Sequence, residues 1–227
     1  MLKYQLVIFD FDGTLADSFA LFLEAAKVAA ERFRFKPIAE ADLDRFRSSN
    51  AREIIAEVGL PWWKVPAVVR HTRKFMRERI EQVQLFDGVD VMLRQLKAAG
   101  IQVAIVTSNA QENVERVLGA GNLKLIDHFA CNASIFGKRP KTRAVLKASG
   151  VSTEAVLCVG DEMRDAEVAQ ALRLDFAAVS WGYTNPAQLA RLPGVKMCDS
   201  VRDVLSLAVI NREQENSFPS LSRRDTR

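Results

Sequence analysis

The chain has 227 residues, 48% of them hydrophobic, a formal net charge of +4 and three cysteines. This is enough apolar material for one full core or one and a half domains, while the basic charge is too dispersed for a nucleic-acid stripe. Cys131, Cys158 and Cys198 are too few and too irregularly spaced for a disulfide framework or a zinc site.

The first element is the apolar run Leu6–Phe9, which reads as a buried parallel strand. Met1-Leu2-Lys3-Tyr4 leads straight into it, leaving no secretory apolar core. Nowhere does an apolar run approach the roughly eighteen residues of a membrane span. The sequence therefore predicts a soluble, cytoplasmic protein with reduced thiols. Asp10-Phe11-Asp12-Gly13-Thr14-Leu15 follows the strand. In extended backbone, residues i and i+2 leave the same face about 6.5–7 Å apart, so Asp10 and Asp12 are expected to converge on one small ligand. Two carboxylates about 4 Å apart repel by roughly 4 kcal/mol in a surface-like dielectric, which a hard divalent cation such as Mg²⁺ relieves. An EF-hand loop opens with the same Asp-x-Asp but needs Gly and Glu where this chain has Leu15 and Leu21.

From Asp17 to Leu85 only helical periodicity is visible, far more than one crossover requires. The pattern predicts an inserted all-helical domain over residues 17–85, with helices at Asp17–Phe33, Ala39–Arg45, Ala51–Val58 and Trp62–Ile80. Asp17 or Ser18 is placed to cap the first, and Asn50 with Glu53 forms a capping-box pattern for the third. Gly59-Leu60-Pro61 ends that third helix. The most polar turn, Arg47-Ser48-Ser49-Asn50-Ala51-Arg52, offers Arg47 or Arg52 to an anionic substrate, or else to solvent. Trp62 and Trp63 are expected to pack in the core rather than line a substrate lip.

The chain returns at Phe86-Asp87-Gly88-Val89. Strands at Val103–Val106, Val156–Val159 and Phe176–Val179 then alternate with helices at Gly88–Ala99, Ala110–Leu118, Lys141–Ser149 and Arg164–Leu172. This predicts an α/β fold, a doubly wound parallel sheet built from residues 1–16 and 86–210, with a flexible polar tail over residues 211–227. Ligands in such sheets bind beyond the carboxyl ends of the strands. Three polar clusters should therefore meet Asp10 and Asp12. Thr107-Ser108-Asn109 brings hydroxyls and amides at a helix start, which suits a phosphate or a plain helix cap. Gly160-Asp161, with Asp165 behind it, adds acids that are costly to bury beside two others without a cation. Lys138 and Lys141 supply positive charge ahead of the next helix. His71 and His128 have no Ser or Cys pattern nearby, which argues against a His-based triad.

In this order, the motifs resemble the haloacid dehalogenase-like hydrolase superfamily, in its phosphoglycolate phosphatase-like branch with a helical cap after the first strand. The resemblance covers about residues 4 to 208. It implies that Asp10 attacks phosphorus, and that Asp12 protonates the leaving oxygen and then activates water. It further implies that Mg²⁺ is held by Asp10, the main-chain carbonyl of Asp12, and Asp161, with Asp165 behind them. Thr107 and the Ser108 amide would bind phosphoryl oxygens, and a lysine would neutralise charge. The branch usually has proline directly after that lysine, whereas Arg139 follows Lys138 and Pro140 precedes Lys141; the interval to Asp161 favours Lys138. The physical logic agrees, since a carboxylate nucleophile divides a hard displacement into two easier steps while metal and lysine offset phosphoryl charge. Asp12 disfavours carbon–halogen cleavage, which has no leaving oxygen to protonate.

The expected partner is a small phosphorylated metabolite, not nucleic acid or membrane, with the protein a monomer or homodimer. The alternatives are a phosphomutase of the β-phosphoglucomutase type and a catalytically idle binding protein.

Overall fold

The computed structural model describes residues 2–49, 51–133 and 137–210. In chain order the elements are β1 (Leu6–Phe9), β2 (Ala16–Asp17), α1 (Phe19–Phe33), α2 (Leu43–Arg47), α3 (Ala51–Glu57), α4 (Val65–Glu78) and β3 (Gln84–Leu85). There follow α5 (Val89–Ala98), β4 (Gln102–Val106), α6 (Gln111–Leu123), β5 (His128–Ala130), α7 (Lys138–Ser149) and β6 (Val156–Gly160). The chain continues with α8 (Met163–Leu172), β7 (Asp175–Val179), α9 (Pro186–Leu189), β8 (Lys196–Cys198) and α10 (Val201–Ala208).

Six parallel strands form the sheet in the order β5-β4-β1-β6-β7-β8. Side chains alternate across a strand, and the core divides accordingly. Val7, Phe9, Val103, Ile105, Leu157 and Val159 share one buried cluster with Val89, Leu93 and Leu96 of α5 and Val114 of α6. Leu6, Ile8, Ala104, Val106, Val156 and Cys158 share the other with Val145 of α7 and Ala169 of α8. Both faces are covered, which is why these strands read as continuous apolar runs. Each Leu, Ile or Phe buried fully contributes about 1.5–3 kcal/mol.

Register then assembles the rim. Phe9 pairs with Ile105 of β4 on one side and Val159 of β6 on the other. Asp10 lies one residue beyond that line, and Thr107 and Asp161 two, so all three finish at the same edge of the sheet.

The helices α1 to α4 are inserted between β2 and β3, which pair antiparallel as Ala16 with Leu85 and Asp17 with Gln84. Within the insert, Phe46, Val58 and Leu60 form a small separate cluster, while Leu21 and Ala25 of α1 and Phe75 of α4 join the main one. Among the described residues no helix is long and apolar enough to cross a membrane.

Several expectations are corrected. The ribbon strands β2 and β3 and the edge strands β5 and β8 have two or three residues each, too few to display a period in sequence. Helix α7 begins at Lys138 rather than Lys141, because Pro140 falls in the first turn, where its missing N–H has no helical partner to lose. Trp62 and Trp63 are not core residues; they are 60% and 80% exposed on a short 3₁₀ turn after Pro61. The inward side of the following helix is supplied instead by Val65, Val68 and Phe75. Ser18 stands at the N-cap of α1 but gives that helix no side-chain bond, since its hydroxyl is used elsewhere. Asn50 of the expected capping box, Phe136 before the lysines, and the 211–227 tail lie outside the described residues.

Candidate active site

Asp10 continues the parity of Leu6 and Ile8, so its side chain leaves the sheet toward the layer of α7 and α8. Lys138, the first residue of α7 and only 4% exposed, meets it there. The ammonium lies 2.6 Å from Asp10 Oδ2 and donates to Asp165 Oδ1 at 2.6 Å. Burial alone would lower the ammonium's pKa, but Asp10 and Asp165 more than offset it and hold it above the usual lysine range. Lys141, about one turn along, is half-buried and makes neither contact.

Two further acids stand beside this pair. Carboxylate oxygens of Asp10, Asp161 and Asp165 all lie within 4.8 Å of one another, and all three residues are buried. Asp161 follows β6 and accepts two bonds, from Thr14 Oγ1 and from the Tyr183 backbone N–H, each at 2.7 Å. Asp165 closes the capping box at the start of α8 by accepting the Glu162 N–H at 3.2 Å. Burial pushes the Asp161 carboxyl well above its ordinary range, and pushes Asp165 up to about 7 although Lys138 pulls it down. With all three acids ionised, one ammonium leaves negative charge unmatched, and Arg164 is paired with Glu162 at the edge of the cluster. A set of close, hard oxygen donors of this kind fits Mg²⁺.

The backbone makes room for these acids. Gly13 has φ +78°, in the left-handed region, and a side chain there would overlap the Asp161 carboxylate and the Tyr183 ring. Gly182 approaches Asp161 from the loop after β7, and a Cβ there would overlap the same side chain.

Asp12 does not join the cluster of three. β1 ends at Phe9, and the chain turns back as the Phe11 carbonyl accepts the N–H groups of Leu15 and Ala16, each at 2.9 Å. Asp10 and Asp12 nonetheless stay close enough for the Asp10 charge to act on Asp12. The Asp12 carboxylate accepts instead from Ser18 Oγ at 2.9 Å and from Asn109 Nδ2 at 3.0 and 3.2 Å. Burial and the neighbouring Asp10 charge push its pKa up to about 6, against those hydrogen bonds. Thr107 is buried beyond β4, its hydroxyl accepting the Asn109 N–H at 3.0 Å. Ser108, half-buried, stands between them.

Arg47 is not turned toward the acids as a free cation. Its Nη2 donates to the Gly182 carbonyl at 2.7 Å and its Nε to the Tyr183 carbonyl at 3.1 Å. His71 packs edge-on against Phe33, and His128 on β5 bonds Gln102 at 2.9 Å.

Sequence reasoning missed the partners of the acids. Thr14 lies inside the aspartate motif and Asn109 inside the second cluster, so both were in view without a role. Gly182 and Tyr183 were not singled out. The signal was available, because Ser180-Trp181-Gly182-Tyr183 follows a strand at the same rim as the other clusters.

Comparison with known proteins agrees with this layout. A family model described as haloacid dehalogenase-like hydrolase matches residues 7–179. The chain is 32% identical over 186 residues to a phosphoglycolate phosphatase of Synechococcus elongatus, covering 82% of this chain and 88% of the relative. It is 29% identical over 184 residues to the tyrosine-protein kinase PtkA of Mycobacterium tuberculosis, covering 79% of this chain but 63% of that longer protein. Among solved structures, a haloacid dehalogenase-like family hydrolase from Streptococcus pneumoniae superposes with a TM-score of 0.75 at 19% identity, covering 90% of this chain and 98% of its own. That last likeness speaks to the fold alone.

Proposed function

The chain belongs to the haloacid dehalogenase-like hydrolase family and is a hydrolase of phosphate esters, and on that premise we propose a Mg²⁺-dependent phosphatase acting through an aspartyl-phosphate. Its substrate is a small phosphate monoester, phosphoglycolate-like or a sugar phosphate; the phosphoglycolate phosphatase relative supports the first. Asp10 is the nucleophile. One of its carboxylate oxygens bonds to phosphorus as the bond from phosphorus to the ester oxygen breaks. Asp12, held by Ser18 and Asn109, gives its proton to that departing oxygen. As a carboxylate it then takes a proton from water, whose oxygen attacks phosphorus and returns Asp10 free with inorganic phosphate.

Lys138 neutralises charge on Asp10 and on the phosphoryl group as it arrives. Thr107 and the Ser108 amide bind phosphoryl oxygens. Asp10, Asp161 and the main-chain carbonyl of Asp12 hold Mg²⁺, with Asp165 behind. When bound, the ion supplies positive charge that offsets the phosphoryl oxygens. The helical insert acts as a cap that excludes water and selects the leaving group.

The observation that carries this reading is the 2.6 Å contact of Lys138 with Asp10 beside two more buried acids at the sheet rim. The test is phosphate release from a panel of monoesters, phosphoglycolate and sugar phosphates included, with Mg²⁺ or with chelator. Asp10→Asn is the blank and should lose at least about 10³-fold in turnover, with no acid-stable, hydroxylamine-sensitive phosphate on the protein. Release undiminished in Asp10→Asn, or release indifferent to chelator, would defeat the proposal.

A further inference from the structure

Arg47, the last residue of α2, makes three bonds to one loop of the sheet domain. Its guanidinium donates to the carbonyls of Gly182 and Tyr183, and its own carbonyl accepts the Asn185 N–H at 2.8 Å. On its other side the same loop touches the acids. The Tyr183 N–H donates to Asp161 at 2.7 Å, and Gly182 lies against that side chain with no room for a Cβ. The Tyr183 hydroxyl shares a hydrogen bond with Ser18 at 2.8 Å, and Ser18 donates to Asp12.

The Gly182 carbonyl and the Tyr183 N–H belong to one peptide unit. It is planar and trans, so its oxygen and its hydrogen point in opposite directions. A guanidinium therefore sits on one end of this dipole and a carboxylate on the other. Both bonds are charge-assisted, and each polarises the peptide in the sense that strengthens the other.

We infer that Arg47 is a positioning residue, fixing the Asp161 carboxylate for the cation through the Gly182–Tyr183 peptide and so linking the seated position of the helical insert to ion binding. This rests on the reading of Asp161 as a holder of Mg²⁺. Linkage is reciprocal, so the ion in turn favours the seated insert.

The chain has three tryptophans, and replacing the exposed Trp62 and Trp63 by Phe leaves Trp181, the neighbour of Gly182, as the sole emitter. In that background, Mg²⁺ is titrated without substrate, following Trp181 emission and heat of binding. Arg47→Ala should weaken Mg²⁺ binding about fivefold or more. Arg47→Lys, with one donor centre instead of a fork, should fall between, and provides the measurement if the alanine variant does not fold. Arg70→Ala, on the exposed side of α4, should match the parent. In turnover assays, the Arg47→Ala defect should be recovered at high Mg²⁺ with substrate KM unchanged. Unchanged Mg²⁺ affinity with a raised substrate KM would overturn the inference and make Arg47 a substrate contact, leaving the hydrolase reading intact. A parent protein that binds Mg²⁺ yet releases no phosphate would defeat the hydrolase reading, while the two isotherms still decide the role of Arg47. A parent that binds no Mg²⁺ would overturn the inference together with the reading of Asp161 as a holder of the ion.

Discussion

The sheet rim and the helical insert are held by different forces. At the rim, buried charges meet fixed partners: Lys138 between Asp10 and Asp165, Asp161 under Thr14 and Tyr183, Asp12 under Ser18 and Asn109. In the insert beyond α1 and α4, a small apolar cluster of Phe46, Val58 and Leu60 holds α2 and α3, and Arg47 ties them to the loop after β7. Directional bonds in a low dielectric define geometry to fractions of an ångström, whereas a few apolar contacts define only proximity. The rim is thus expected to be the more rigid half of the site. The insert, with its small separate cluster, is expected to open at lower free energy.

The largest effect should come from the rim. Lys138→Ala is expected to cut turnover by about 10²-fold or more, while Lys141→Ala stays within about threefold, with both proteins checked for folding by circular dichroism. The reverse order would move the cationic role to Lys141. In the insert the response should be structural instead. Phe46→Ala should cost about 3 kcal/mol locally, so that amides of α2 and α3 lose hydrogen-exchange protection while those of β1, β4 and β6 keep theirs. Loss of protection in both regions together would erase the contrast drawn above.

A smaller effect belongs to the far end of the sheet, where Asp175 accepts from the Tyr4 hydroxyl at 2.6 Å and pairs with Lys3 at 2.8 Å. Against the cost of burial, Lys3 and Tyr4 hold this carboxyl below the usual range. A folded pKa below the unfolded one, near 4, adds stability above that pH and loses it as pH falls through the folded value. Asp175→Asn should therefore lower thermal stability at neutral pH by less than about 1 kcal/mol, given its partial exposure, and the gap should close in acid. A gap constant with pH would remove the ion pairs as its cause. The smallest effect is expected at Trp63, where Trp63→Ser should change stability by less than about 0.5 kcal/mol; a loss of about 3 kcal/mol would return Trp63 to a packed role.

Much of this was legible in the letters. The four principal strands are unbroken apolar runs because both faces of a parallel sheet are covered, and polar residues follow them at once because ligands sit at the carboxyl rim. Asp10, Thr107 and Asp161 stand out by that rule, and Lys138 by its interval to Asp161 within the family resemblance. Gly182 and Tyr183 also follow a strand at that rim, but they act through a backbone N–H and a missing side chain, so only their position marks them. The exposed Trp62 and Trp63 misled because aromatic pairs usually pack inside, and only the 3₁₀ turn after Pro61 directs them outward.

By itself, the sequence determined the alternation of strand and helix, the inserted helical stretch and the supply of acids and lysines, because periodicity and local propensity act over a few residues. Tertiary structure alone decided that Asn109 and Ser18 hold the Asp12 carboxylate, that Thr14 and the Tyr183 N–H hold Asp161, and that Arg47 grips a peptide bonded to Asp161. Those choices depend on strand register and on partners more than ninety residues apart in several cases, and such separations leave no local trace.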